Sequence, residues 1–174
     1  MRVSGFQTTG TAIQNPFTFY YTQNGDWSSG HNYDYWNKNF TSFVEATNIA
    51  NFKTIYDPSV SGFLLPKTAA FTGFTDSGQN SNNVSSFNVS GVWNAGWAFY
   101  TESWKSGKIL FFKALGLRNS NDGIMNYKDV IGVYWTNGTQ SNTKGNYLAI
   151  EVLLVYPHAR YYRSSGYSCW SVLE

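Results

Sequence analysis

The chain has 174 residues, enough for one sizeable core; 42% are hydrophobic, 19% aromatic and only 13% charged. The formal net charge of +2, carried by scattered basic residues, excludes the electrostatic footprint of a nucleic-acid-binding surface. No segment approaches the ~20 apolar residues of a membrane span, and Cys169, the only cysteine, excludes an internal disulfide. Polarity comes instead from Asn, Ser, Thr and Gly. With Tyr and Trp, these are the residue types of antibody-like binding surfaces.

Residues 1–40 are aromatic and polar with little period, and are expected to form an N-terminal strand-and-loop segment. Phe17 to Thr22 alternates well enough for one strand. Asn24-Gly25-Asp26 and Ser28-Ser29-Gly30 are turn material, and His31 to Asn37 reads as an aromatic loop. A main domain over 41–174 follows. Its first part, 41–53, places Phe43, Ala46, Ile49 and Ala50 on one helical face. Asp57-Pro58 sets an extended chain before a turn, Phe63-Leu64-Leu65 is a short buried run, and Pro66 stands where a helix can start.

Residues 75–90 are Ser/Asn/Gly-rich and read as a loop. Val92 to Tyr100, with Trp93, Trp97 and Phe99 alternating, predicts a strand with one aromatic face. Lys105 to Lys108 is a hairpin turn, and Ile109 to Leu115 reads as a core strand. Three further strands are expected at Val130–Thr136, Tyr147–Val155 and Tyr167–Val172. Asn137-Gly138 and Lys144-Gly145-Asn146 are the expected turns between the first two. Pro157 is expected to open a loop returning at Gly166.

No HExxH, GxSxG or phosphate-loop pattern occurs, and His31 and His158 lie far apart in sequence. The chain is therefore not read as an enzyme, and no cofactor is expected. Asn119, Asn121 and Asp122 put three oxygen-bearing side chains within four residues, but without EF-hand spacing; a hydrogen-bonded turn is expected there rather than a metal site. Cys169, beside Trp170, is read as a buried or half-buried small residue. The stretch 156–165 is the best binding candidate. Its tyrosines offer large apolar faces with polar tips at low entropic cost, and its arginines add bidentate and cation–π contacts. The expected binding surface comprises Asn137, Gln140 and Asn142 from one loop, Tyr156, His158, Arg160, Tyr161, Tyr162, Arg163 and Ser164 from the other, and Trp170 beside them.

A framework runs through the chain: Ile55-Tyr56-Asp57-Pro58, Gly62 to Pro66, Phe71-Thr72-Gly73-Phe74, Gly116-Leu117-Arg118-Asn119, Gly132 to Thr136, and Gly166-Tyr167-Ser168 with Val172. In these residues the chain resembles the Fibrobacter succinogenes major paralogous (FISUMP-like) domains of Bacteroides-type bacteria and their phages. The resemblance implies a C-type lectin-like α+β fold, predominantly antiparallel, with one or two short helices and long loops. The Glu-Pro-Asn and Trp-Asn-Asp elements of calcium-dependent sugar-binding lectins are absent, which speaks against that chemistry. Family members carry an Asn-rich loop in the place of 156–165, and Val-Arg in the place of Cys169-Trp170. Relatives of this fold are targets of diversity-generating retroelements, which rewrite adenine-containing codons near the C-terminus. Substituted Asn codons would give this kind of Tyr, His, Ala, Arg and Ser content.

The expected function is non-enzymatic recognition of a cell-surface protein or glycan, on a bacterial surface or phage virion, without membrane insertion. A homo-oligomer is compatible with it. The alternative is a structural virion, pilus or surface-assembly subunit. Met1 to Gly5 lack the apolar stretch of a secretory signal, so the expectation is either a domain of a longer polypeptide or a virion component.

Overall fold

The computed structural model describes residues 1–174 except Asn24 and residues 43–48. The expected helix over 41–53 falls mostly on the latter and lies outside the described residues. Elsewhere the chain is mostly antiparallel β-structure, with one six-residue α-helix and two 3-10 helices among the described residues. This agrees with a β-rich or α+β class.

The organising element is a four-stranded sheet. Strand β9 (Gly132–Thr139) pairs antiparallel with β10 (Lys144–Glu151), which pairs antiparallel with β11 (Leu154–Tyr162). The short β12 (Ser168–Cys169) adds on the other side of β9, in parallel, so β11 and β12 form the two edges. Below it lies a three-stranded antiparallel sheet: β4 (Val89–Ser90), β5 (Gly96–Tyr100) and β6 (Ile109–Lys113). Smaller pairs complete the frame. Strand β1 (Arg2–Ser4) runs parallel to β2 (Phe19–Tyr21), β3 (Phe63–Leu64) pairs with β13 (Val172–Leu173), and β7 (Leu117–Arg118) with β8 (Met125–Asn126). Helix α1 (Thr9–Gln14), which the sequence reading missed, is capped by Thr8, whose hydroxyl accepts the Thr11 N–H.

The main core lies between the two larger sheets and the 3-10 helix Thr68–Phe74. Phe71, Phe74, Phe87, Trp97, Phe99, Phe112, Tyr134, Leu148, Ile150 and Val155 pack together there. Aromatic residues dominate because alternation along β5 sends Trp97 and Phe99 inward. Phe74 stacks on Phe99 at 3.9 Å, and Trp170 on Phe112 at 4.3 Å. The Trp97 indole donates to the Glu151 carbonyl at 2.8 Å, tying the two sheets together.

Several expected boundaries change. The expected turns at Asn137-Gly138 and Lys144-Gly145-Asn146 are instead the end of β9 and the start of β10, and the hairpin turns at 140–143. Gly138 is needed for close approach: a Cβ there would collide with the Thr68 hydroxyl and press on the Asn146 amide. The strand expected over Tyr147–Val155 is two strands, joined by a tight turn at Val152-Leu153. The loop expected from Pro157 is the second half of β11. Proline is tolerated there because β11 is an edge strand. Strand β6 is not a core strand: Phe112 is buried, while Ile109, Leu110 and Phe111 are each about half exposed. The expected last strand divides into β12 and β13, in different sheets, and Cys169 is exposed rather than buried.

The N-terminal segment docks on the outer face of the four-stranded sheet. Phe19 and Tyr21 pack against Gly123, Phe19 also against Gly166, and Trp36 lies 5.8 Å from Trp135. Ser164 donates its N–H to the Gly25 carbonyl and its hydroxyl to the Thr22 carbonyl.

Candidate functional site

The register of β10 and β11 shifts between the pairs Tyr147↔Ala159 and Ala149↔Tyr156. Pro157 and His158 therefore stand together opposite the single residue Leu148. Such a bulge re-aims side chains at a sheet edge. The chain at 79–81 comes alongside here. Ser81 and Val155 exchange both backbone hydrogen bonds at 2.9 Å, and the His158 N–H donates to Asn80 Oδ1 at 3.1 Å.

Between this segment and the strand face lies an open groove of about 650 Å³, lined by Gln79, Asn80, Tyr147, Tyr156, His158, Ala159 and Arg160. Tyr147 forms its inner wall as part of an aromatic layer. It stands edge-on to Tyr167 at 4.7 Å, and Tyr167 stacks on Trp135 at 4.4 Å. Burial pushes the phenols of Tyr147 and Tyr167 above their ordinary value. Farther along β11, Tyr161 and Tyr162 make a ring pair at 5.0 Å, and Lys144 lies over Tyr162. Because Tyr162 pairs with Lys144, this end of β11 adjoins the 140–143 turn, where Asn142 is exposed.

The sequence-predicted residues therefore separate into two groups. Tyr156, His158, Arg160, Tyr161 and Tyr162 run along β11, with Gln140 and Asn142 at the adjoining turn, and each retains some surface. Of the other four, three are buried and Trp170 is half-buried. Asn137 is buried, with its amide on Asn51 Oδ1 and its N–H on the Pro66 carbonyl. Ser164 is buried under the N-terminal segment. Trp170 packs on the core face against Phe112 and Tyr134.

Arg163, read as a surface hot spot, is a buried structural cation with a side-chain exposure of 6%; its Nη1 lies 3.2 Å from Oδ2 of Asp26, which is fully buried. The contact lacks hydrogen-bond alignment and acts as a charge pair. Burial raises the Asp26 pKa, and Arg163, the Ser28 N–H and His31 oppose it. Burial likewise lowers that of Arg163, opposed chiefly by Asp26.

Gln79, Asn80 and Tyr147 belong to the groove but were not found from sequence. Nothing in an Asn/Ser-rich stretch marks which amide meets a strand far downstream. Tyr147 could have been placed by its alternation with the buried Leu148. The Asn119–Gly123 stretch is a hydrogen-bonded turn, as expected: Gly123 N–H donates to the Asn119 carbonyl, Asn121 N–H to Asn119 Oδ1, and Ile124 N–H to Asp122 Oδ1.

Comparison with protein-family models, curated proteins and solved structures found no match. The FISUMP-like resemblance rests on the framework residues quoted above.

Proposed function

We propose that the chain is a non-enzymatic recognition module that binds a cell-surface macromolecule through β11 and the adjoining 140–143 turn. The observation that carries this reading is the placement of Tyr156, His158, Arg160, Tyr161 and Tyr162 along one bulged edge strand beside an open groove. Tyrosine and arginine supply most of the energy at protein-binding surfaces, and a sheet holds them with little ordering cost. A shallow, open groove suits a protein surface or the end of a glycan chain, with protein the better fit. In a C-type lectin-like, FISUMP-type domain diversified by a retroelement, variation would fall on these β11 positions. It would spare Arg163 and Ser164, whose replacement would undock the N-terminal segment.

The test is binding of the purified chain to intact gut-type bacterial cells and to a glycan array. The comparison is a variant carrying Arg160→Ala, Tyr161→Ala and Tyr162→Ala. Saturable binding that disappears in the variant, with circular dichroism unchanged, supports the reading. Binding that survives in the variant refutes it.

A second reading, a structural assembly subunit, is favoured by β6. Its Ile109, Leu110 and Phe111 are exposed, and β6 is an edge of its sheet. An exposed apolar edge strand is a template for pairing with another chain. A defined oligomer in light scattering that dissociates on Phe111→Lys, combined with no cell binding, would establish this second role instead.

A further inference from the structure

A second cavity, of about 400 Å³, opens between the N-terminal segment and the Ile55–Pro58 turn, and shares no lining residue with the β11 groove. Trp27, Tyr35, Trp36 and Tyr56 form its aromatic walls, and Asp57 and Arg163 supply charged groups. The walls are braced against one another. Trp27 stacks with Tyr35 at 6.2 Å, Tyr56 stands edge-on to Tyr35 at 5.3 Å, and the Thr54 hydroxyl donates to the Tyr35 carbonyl. Asp57 is fixed by the N–H groups of Ser59 and Leu65, at 2.8 and 3.0 Å on its two oxygens, and each oxygen retains a lone pair for a further donor.

The charges select the ligand. A cation would normally favour an aromatic cage, but the Arg163 guanidinium already lies 5.6 Å over the Tyr35 ring and repels a second one. An anion would favour a free guanidinium, but Arg163 is paired with Asp26, and Asp57 adds a second carboxylate. A purely apolar ligand would leave the remaining lone pairs of Asp57 and the Arg163 Nη1, which has no aligned hydrogen-bond acceptor, unmet. What remains is a neutral ring with a flat C–H face to lie on the indoles and hydroxyls at its edge. One hydroxyl can donate to a carboxylate while accepting from a guanidinium.

We propose that this cavity binds a neutral pyranose ring, between Trp27, Trp36 and Tyr56, with its hydroxyl edge toward Asp57 and Arg163. Its volume falls within the range of small-ligand sites, which are concave and mostly apolar with few polar groups. The site is independent of the β11 surface and does not require the reading given for it.

The experiment titrates the purified full chain with methyl glycosides of glucose, galactose, mannose and N-acetylglucosamine. It follows tryptophan fluorescence and the indole N–H resonances, with tetramethylammonium and inorganic phosphate as counter-probes. At least one glycoside is expected to saturate in about the millimolar range and to shift the Trp27 and Trp36 indole signals. Tyr56→Ala, at a partly exposed rim position, is expected to weaken that binding ~10-fold through lost ring contact. The Arg160→Ala, Tyr161→Ala, Tyr162→Ala variant should leave it unchanged, so failure of one site is distinguishable from failure of the other. The proposal is overturned if no glycoside perturbs the indoles, if tetramethylammonium or phosphate binds more tightly than every glycoside, or if Tyr56→Ala has no effect.

Discussion

Replacing Arg163 by methionine leaves the Asp26 carboxylate fully buried with only the His31 imidazole, 3.5 Å from Oδ2, against it. In the native chain the two groups are 3.2 Å apart, with side-chain exposures of 6% and 0%. Removing one member of a buried pair costs about 3–5 kcal/mol, because the other charge stays desolvated. At about 2–4 °C per kcal/mol for a chain of this length, the expected loss in melting temperature is on the order of 10 °C. Asp26→Asn strands the guanidinium and is expected to cost a similar amount, although Asn retains an acceptor for the Ser28 N–H. The double variant, Asp26→Asn with Arg163→Met, removes both charges. It should be more stable than the sum of the single effects predicts, with a coupling of about 2 kcal/mol. Chemical denaturation of the four proteins, in low salt and again in high salt, is the assay. Because neither group is exposed, salt should barely change the coupling. Single-variant losses that add to within about 0.5 kcal/mol would refute the pairing.

Three other outcomes are expected. Burial raises the Tyr134 phenol from 10.0 to about 12, and its hydroxyl donates to the Lys113 carbonyl at 2.5 Å. A raised pKa gives stability that is present below pH 10 and lost as pH rises through 12, so Tyr134→Phe should cost about 1 kcal/mol at neutral pH, with the two stability curves crossing between pH 10 and 12, where the native chain loses more than that. Leu148→Ala, at a side chain with no exposed surface between the sheets, should lose about 2–5 kcal/mol by urea denaturation. Gly138→Ala pushes a methyl group into the Thr68 hydroxyl and the Asn146 amide and should cost about 1–3 kcal/mol; retention of full stability would mean that β9 and the Thr68–Phe74 helix are not in contact there.

Local patterns were legible wherever one residue's neighbours in sequence decide its environment. The alternating aromatics of β5, a helical segment beginning just after Pro66 and the hydrogen-bonded turn at 119–123 were all readable. What misled was residue chemistry with two physical explanations. Asn137-Gly138 has the composition of a hairpin turn, but Gly138 is there because Thr68 and Asn146 leave no room for a Cβ. Pro157 has the meaning of a loop in most of a chain, but on an edge strand its missing N–H is tolerated. Arg163 and Tyr162 are adjacent and both look like recognition residues. Only the distant Asp26 distinguishes them, and no local pattern connects positions so far apart. For the same reason the aromatic loop at 31–37 did not announce that Tyr35 and Trp36 wall a cavity with Tyr56.

The pairing of β3 with β13 has a consequence for how the protein acquires its structure. Leu64 and Phe63 find their strand partners only in Val172 and Leu173, and β9, central in its sheet, receives its second neighbour only from Ser168 and Cys169. Pairings so distant in sequence form late and slowly, because loop closure is paid before the contacts reward it. During synthesis the apolar run Phe63-Leu64-Leu65 must therefore wait, open to the wrong partners, until more than half of the chain has followed, and one side of β9 over the shorter span to Ser168. The Lys67 and Lys53 side chains beside that run, the latter donating to the carbonyls of Ser59, Val60 and Phe63, place charge next to the waiting strand, which is how sequences guard such segments against aggregation.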